Sequence, residues 1–385
     1  MPDSKSNRLA LNFSAMVRDL KSGVAQWSAL PMHMEISTNA RCNLRCIMCR
    51  PRNVDVDFDS ARLDLDTVAA AVDELGPNLG LLTPSSGSEP FLGDPEFLAE
   101  KCREHEIWLT VTTNGTLMTP ERYAAIEDTL LYLQVSFDSH VPELYEWIRS
   151  GAKFDRVVSN LRQVIPRASA VGVDTCASAV LIEQTLPHLP QYVDFVADLG
   201  FHRIELQKLY HRVDVRDIDP YRRHPPEKIL DQVGLAVDRA KKRGLSLILS
   251  ADKRIHYMFG KHTSKRSDRR MADYAYYLMK RFPRFCFQAA HYVRVTPDGM
   301  VYPCCNHHES MVMGSIYEKS LTDIWQGPKY QQLRSEFFSG KPRSHCSTCP
   351  IMTGVAKAEF KPNSLKWLFK RGWSLLATDL AGLRR

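Results

Sequence analysis

Between residues 34 and 250 short β-rich runs alternate with stretches of helical periodicity, and no other feature narrows the possible folds of this chain as far. Seven runs read as strands: Met34 to Thr38, Leu79 to Pro84, Trp108 to Thr113, Leu131 to Phe137, Thr175 to Leu181, Arg203 to Leu209 and Leu245 to Leu249. Between them apolar residues recur at helical spacing. Leu65, Val68, Val72 and Leu75 lead to a helix end at Gly76, and Val157, Leu161, Val164 and Ile165 to one near Pro166. Alternation of this kind predicts βα units around a parallel sheet, an α/β fold. At 385 residues the chain is too long for one small core, so a second module is expected.

The first run ends in Thr38-Asn39-Ala40-Arg41-Cys42-Asn43-Leu44-Arg45-Cys46-Ile47-Met48-Cys49, three cysteines spaced C-x3-C-x2-C. Three thiolates from one loop suit an iron-sulfur cluster, yet they hold only three irons of a cubane. The fourth iron stays open, and an open coordination position separates a metal site that does chemistry from one that only closes a fold. A zinc knuckle or a set of buried thiols competes with this reading, although tetrahedral zinc wants a fourth ligand and none is obvious nearby. Ten cysteines in a chain of this length are no disulfide scaffold. The N-terminus lacks the basic, apolar and small-residue regions of a secretory signal, and no apolar run approaches a membrane span. A cytoplasmic protein is expected, in a reducing compartment where thiols remain open to metal.

Cys42, Cys46 and Cys49 resemble the cluster motif of the radical SAM superfamily. The resemblance implies a 4Fe-4S cluster whose open iron chelates the amino and carboxylate groups of S-adenosylmethionine (SAM), a reductant such as flavodoxin or ferredoxin, and cleavage of SAM to a 5'-deoxyadenosyl radical that abstracts hydrogen from substrate. It also implies a partial (β/α)6 TIM-like barrel over residues 34–250, after an N-terminal extension of residues 1–33. Chemistry in parallel α/β barrels gathers on the loops after the strands, where the triad lies. Further motifs follow in order. Ser85-Ser86-Gly87-Ser88-Glu89-Pro90 is similar to the family's Gly-Gly-Glu-Pro turn, with Ser88 for the second glycine, and implies that backbone groups and Glu89 receive the SAM ammonium. Thr112-Thr113-Asn114-Gly115 is similar to its Thr-Asn-Gly turn. Ser136 and Asp138 resemble the pair that meets the SAM ribose or carboxylate, and Arg149 an arginine placed near that carboxylate. Gly87, Ser88, Glu89, Pro90, Asn114, Ser136, Asp138 and Arg149 are thus implied cofactor-binding residues, with Met48 of the triad loop.

A second constellation begins at Cys286. Alternating residues around Pro297-Asp298-Gly299 read as a β-hairpin that brings Cys286 towards Cys304, and Cys346-Ser347-Thr348-Cys349 offers a further C-x2-C. This C-x12-G-x4-C arrangement with a distant C-x2-C resembles the auxiliary-cluster module of SPASM and twitch radical SAM proteins. No cysteine follows Cys349, so the likeness is to the shortened twitch form, one fully ligated 4Fe-4S cluster in a small module of residues 286–352. A zinc ribbon is the competing reading. Cys305 adjoins Cys304 and could ligate in its place, donate a hydrogen atom to a substrate radical, or be buried; Cys102 and Cys176 read as core.

The net charge is +7, and residues 253–284 hold ten Lys/Arg against two Asp, a local +8 that exceeds the whole. This segment, placed in a basic stretch of residues 251–285, is either a solvated connection or an anion site. Arg254, His256, Tyr257, Lys261, Lys265, Arg266, Arg269 and Arg270, beside Tyr274, Tyr276 and Tyr277, would suit phosphates and a stacked base or sugar. Nucleic acid is not expected, since no RNA-binding motif accompanies the charge. The basic, amphipathic C-terminal tail of residues 353–385 either lies on an anionic bilayer or packs on the barrel or across a dimer interface. A fully ligated auxiliary cluster, which in related enzymes takes or relays an electron, favours oxidation and next epimerisation. Only 33 residues precede the first strand, short for a leader-peptide domain, so a small, sugar-like or phosphorylated substrate is expected over a peptide. A peptide-maturing enzyme and a non-catalytic zinc-binding interaction protein remain the alternatives.

Overall fold

A computed structural model describes residues 4–49, 62–84, 87–209, 216–250, 270–282, 284–305, 309–347 and 349. All seven expected strands form: β1 (His33–Ile36), β2 (Leu81–Thr83), β3 (Trp108–Thr113), β4 (Leu130–Ser136), β5 (Asp174–Leu181), β6 (Arg203–Lys208) and β7 (Ser246–Ser250). They pair in parallel in chain order. Helices return the chain between strands, giving the open, partial TIM-like barrel. The helix Leu65–Leu75 stops at Gly76 as its pattern requires, but the one expected to end near Pro166 runs on from Phe154 to Ala170. An interior proline removes a helical hydrogen bond and costs about 3 kcal/mol. Here the buried stripe of Val157, Leu161, Val164 and Ile165 continues to Ala168 beyond the proline, and burial of that face outweighs the lost bond.

The cysteine-rich module extends the same sheet. Its hairpin strands β8 (Tyr292–Val295) and β9 (Met300–Tyr302) pair antiparallel, with β10 (Gly314–Ser315) beyond, and β8 lies parallel to β1. The ten strands run β10-β9-β8-β1-β2-β3-β4-β5-β6-β7. Of the turn residues only Gly299 has positive φ, +78°, while Thr296 N–H donates to the Met300 carbonyl at 3.0 Å. Before β1, the expected extension is a helix, Lys5–Ser22, tied down where Asp19 accepts from the N–H groups of Ser28 and Ala29 at 2.9 and 3.0 Å.

The two faces of the sheet differ. Met34, Ile36, Leu82, Leu109, Val111, Leu133, Val135, Ile204 and Val293 pack against the helices in one continuous core. Strand side chains alternate, and the positions between them are polar: His33 and Glu35, Thr83, Thr110, Gln134, Ser178, Glu205 and Arg294, all buried. TIM-barrel interiors are ordinarily filled by branched apolar side chains.

Within the basic stretch, residues 270–281 form a helix on which Tyr274 stacks against Phe13 with ring centres 3.9 Å apart. Residues 251–269, and with them most of the expected anion-binding side chains, lie outside the described residues, as does the tail of residues 353–385. No described helix is long and apolar enough to cross a membrane.

Candidate active site

The triad loop is locked to the far side of the barrel mouth by its backbone. Arg45 N–H donates to the Ser150 carbonyl at 2.8 Å and Ile47 N–H to that of Ile148 at 3.0 Å, while Cys49 N–H turns back to Cys46 at 3.1 Å. Ile47 and Met48 pack against a small apolar cluster of Ile148, at the end of the helix Pro142–Ile148, with Ile182 and Leu209, which follow β5 and β6. Cys46 is buried and Cys42 and Cys49 are exposed, so the three thiols span the rim from interior to surface. Burial pushes the Cys46 thiol up, opposed by the Arg149 guanidinium, whose Nη1 lies 3.7 Å from the sulfur. Cys42 is exposed as a residue, but partial burial of its thiol likewise raises it, and Asn114 Nδ2 approaches the sulfur at 3.9 Å. These polar neighbours sit where a bound cluster would place charge on sulfur, the levers by which a protein tunes such a group.

Asn43, between the first two cysteines, had no role in the motif reading. It accepts from Asn114 Nδ2 at 3.0 Å and donates to Thr116 Oγ1 at 2.8 Å, joining the triad loop to the turn after β3. Glu89 joins that turn to the loop after β2: its Oε1 accepts from the Thr113 hydroxyl at 2.6 Å and Phe91 N–H at 3.2 Å, its Oε2 from Asn114 N–H at 2.8 Å. Burial raises its pKa against those hydrogen bonds. A carboxylate offers about four lone-pair sites, so the three bonds leave capacity for one more donor. Gly93 completes the loop, for a Cβ there would lie 2.3 Å from Thr38 Oγ1. Ser85 and Ser86 lie outside the described residues, whereas Gly87, with φ +95°, Ser88 and Pro90 are in place.

After β4, Asp138 is fully buried and ion-paired through Oδ2 to Arg149 Nε, while its Oδ1 accepts from Val180 N–H at 2.9 Å. Burial opposes the Arg149 cation, but Asp138 and Cys46 outweigh it and hold the guanidinium's pKa above its ordinary range. Ser136, the last residue of β4, stands opposite Ser178 of β5. The structure thus brings Cys42, Cys46 and Cys49 together with Met48, Glu89, Asn114, Asp138 and Arg149 at one end of the sheet.

At the second constellation Cys286 caps the short helix Phe287–His291, Cys346 lies in the turn Ser344–Ser347, and Cys349 N–H donates to the Cys346 carbonyl at 3.2 Å. Burial pushes the Cys286 thiol up to about 12, eased by the N–H groups of Ala289 and Gln288 and reinforced by the proximity of Cys349 and Cys346. Cys346 is raised to about 11, also by burial. Cys304 follows β9 and lies near Tyr330. The carbonyl of Cys305 accepts from Arg294, and its thiol lies near Tyr292. Cys102 and Cys176, read as core, are fully buried, Cys102 in the apolar core and Cys176 beside Tyr132 and Glu205 on the polar face.

Residues 36–196 match the radical SAM superfamily and residues 286–350 match the SPASM iron-sulfur cluster-binding domain. The chain belongs to the radical SAM superfamily. This radical SAM protein is 25% identical to a probable GTP 3',8-cyclase of Methanothermobacter thermautotrophicus over 73% of its own length and 86% of that relative. It is 28% identical to the GTP 3',8-cyclase of Petrotoga mobilis, over 34% of this chain and 42% of that one, so it spans under half of that curated relative. In fold it resembles Streptococcus suis SuiB bound to S-adenosylmethionine, with TM-score 0.57 and 18% identity over 88% of this chain and 74% of that one. It also resembles native anSMEcpe with bound AdoMet, with TM-score 0.58 and 16% identity over 85% and 87%.

The cofactors of such a protein are SAM and two 4Fe-4S clusters, and the donor sets fit them. Iron-sulfur clusters take cysteine thiolates as ligands, three of them leaving one iron of a cubane open and four closing it. The triad supplies three thiols and the second site as many as four. When bound, the first cluster and SAM supply the radical.

Proposed function

We propose that this radical SAM enzyme oxidises or epimerises a small polar metabolite held on the polar face of the sheet, working in the cytoplasm with a flavodoxin or ferredoxin as reductant. The polar lining of the barrel carries this reading. His33 Nε2 lies 2.9 Å from Thr83 Oγ1, which lies 2.6 Å from Thr110 Oγ1, and Tyr132 donates to Gln134 at 3.0 Å. Hydroxyls, amides and charged pairs buried side by side suit a substrate that offers hydrogen bonds in return. A phosphorylated or nucleotide-linked substrate agrees with the names of the sequence relatives, GTP 3',8-cyclases.

In this scheme Cys42, Cys46 and Cys49 hold the SAM-binding cluster. Gly87, Ser88, Glu89, Pro90, Asn114, Ser136, Asp138 and Arg149 orient SAM, with Met48 on its apolar side. Cys286, Cys304, Cys346 and Cys349 hold the auxiliary cluster. Arg149 balances the negative charge gathered by Asp138 and Cys46, and Glu89 keeps the loops after β2 and β3 in register. Cys305, adjoining the lumen through Tyr292, is the candidate hydrogen donor should the product be an epimer.

The test is a screen of sugar phosphates, nucleotide sugars and nucleotides with the reconstituted enzyme, SAM and reductant in deuterated water, read by mass spectrometry. Deuterium at one inverted carbon marks epimerisation, and loss of two hydrogens marks oxidation. If 5'-deoxyadenosine formation responds to peptides and to none of these metabolites, the peptide-maturing alternative replaces this reading. Stoichiometric zinc without labile sulfide would replace it with a non-catalytic protein.

A further inference from the structure

Strand β8 sets the auxiliary module against the first strand of the barrel, and two of its side chains face the lumen. Arg294, 3% exposed, stands opposite Glu35 of β1 and pairs with it, Nε to Oε1 at 3.3 Å. Tyr292 donates its hydroxyl to the other oxygen of Glu35. The same guanidinium donates from Nη1 to the backbone carbonyl of Cys305 at 2.9 Å. Cys305 directly follows Cys304. One buried cation therefore joins a carboxylate on the barrel wall to the loop that carries a thiol of the second site.

We infer that Arg294, oriented by Glu35, is a positioning residue that sets the reduction potential of the auxiliary cluster from inside the barrel. The inference rests on the reading of Cys304 as a ligand of that cluster. Reduction adds one negative charge to the cluster, and nearby charge and hydrogen bonding are the protein's levers over its potential. A cation bonded to the ligand loop favours the reduced form, and in a buried setting the effect is weakly screened. Glu35 meets the guanidinium at Nε while the ligand loop meets it at Nη1, so the carboxylate opposes the cation through the guanidinium. A substrate anion arriving on the polar face would compete for Arg294 and so couple occupancy of the lumen to the readiness of the cluster to take an electron.

The test is a redox titration, followed by electron paramagnetic resonance, of full-length protein in which Cys42, Cys46 and Cys49 are alanine and only the auxiliary cluster titrates. Arg294→Gln is expected to disfavour reduction about tenfold, which for one electron is about 59 mV downward. Glu35→Gln is expected to shift the potential upward by less, and Arg294→Lys, which keeps the charge, to stay near the parent. Tyr292→Phe removes only a neutral hydroxyl and should leave the potential unmoved. Shifts in the same direction for Arg294→Gln and Glu35→Gln, or a shift of similar size for Tyr292→Phe, would mean that loosened packing acts rather than charge, and would overturn the inference. Should Arg294→Gln fail to accumulate, Glu35→Gln decides alone, since an unmoved potential refutes it. Iron content after Cys304→Ala tests the underlying assignment separately: if auxiliary iron is lost there while the charge variants leave the potential fixed, only the role of Arg294 falls.

Discussion

The triad draws its thiols from the eight residues of Cys42 to Cys49 and leaves two of them exposed, whereas the second site collects Cys286, Cys304, Cys346 and Cys349 from separate segments and buries Cys286 and Cys346. A loop that supplies every ligand locally can load its cluster and exchange SAM without disturbing the fold around it. On the proposed ligands, a site assembled across some sixty residues of chain would tie those segments together, and its metal would add to folding stability as well as to chemistry. The loop's long-range contacts at its cysteines are polar, Cys46 with Arg149 and Cys42 with Asn114. The difference is between a working site on a firm rim and a closed site that is itself part of the frame.

The sharpest way to break this comparison is to remove the triad. Replacing Cys42, Cys46 and Cys49 by alanine together should lower 5'-deoxyadenosine formation by more than about a thousandfold, about 4 kcal/mol of activation free energy. Iron should fall from about eight to about four per chain, with the melting temperature nearly unchanged. Cys286→Ala should do the reverse, lowering the melting temperature while the triad keeps its iron. If both variants destabilise the fold alike, the two sites are not built on different plans.

Next in size is the pair beneath the triad. Arg149→Ala strands the fully buried Asp138, and breaking a buried ion pair costs about 3–5 kcal/mol. The midpoint of anaerobic denaturant unfolding should fall accordingly, with iron lost first from the triad because Arg149 also touches Cys46. Loss of auxiliary iron at the same midpoint would show that the two sites unfold as one.

A smaller effect belongs to Glu89, which holds the loops after β2 and β3. Glu89→Gln keeps the shape but weakens its bonds to the Thr113 hydroxyl and Asn114 N–H, for about 1–3 kcal/mol. The expected signature is a raised KM for SAM with auxiliary iron intact. An unchanged KM would show that the loops hold their register without the carboxylate.

Much of the working site can be read in the chain because its ligands are neighbours in sequence and its strands pair in order. Trp108–Thr113 begins and ends where the β-rich run does, and the triad, Glu89, Asn114 and Asp138 all follow strand ends. The closed site is less legible, since its geometry depends on β8 docking beside β1. Tyr292 and Glu35 meet across 257 positions, and no local pattern announces the partner. Arg294 offered a faint signal, a cation at an inward position between Val293 and Val295, but it becomes informative only when Glu35 faces it. Pro166 misleads for a related reason: propensity is local, and the buried face that carries the helix through it is not.

The seam between the two sites gives the last and smallest effect. His33 of β1 and His291, just before β8, lie with ring centres 6.3 Å apart, and burial lowers their pKa values to about 3 and about 4. Each is therefore neutral when folded, while in the unfolded chain it titrates near 6.5. Between about pH 6.5 and pH 4 the unfolded chain binds more protons, so the stability each histidine contributes is complete above that window and is lost as the pH falls through it. At pH 6 the loss should be about 1 kcal/mol per histidine, steepening by up to about 1.4 kcal/mol for each further unit. His33→Asn should flatten the acid limb of a plot of melting temperature against pH by one proton's worth. The two buried histidines among the described residues, His33 and His291, stand at this seam, so acid should release auxiliary iron at a higher pH than triad iron. The opposite order would place the weak point in the loop and not in the seam.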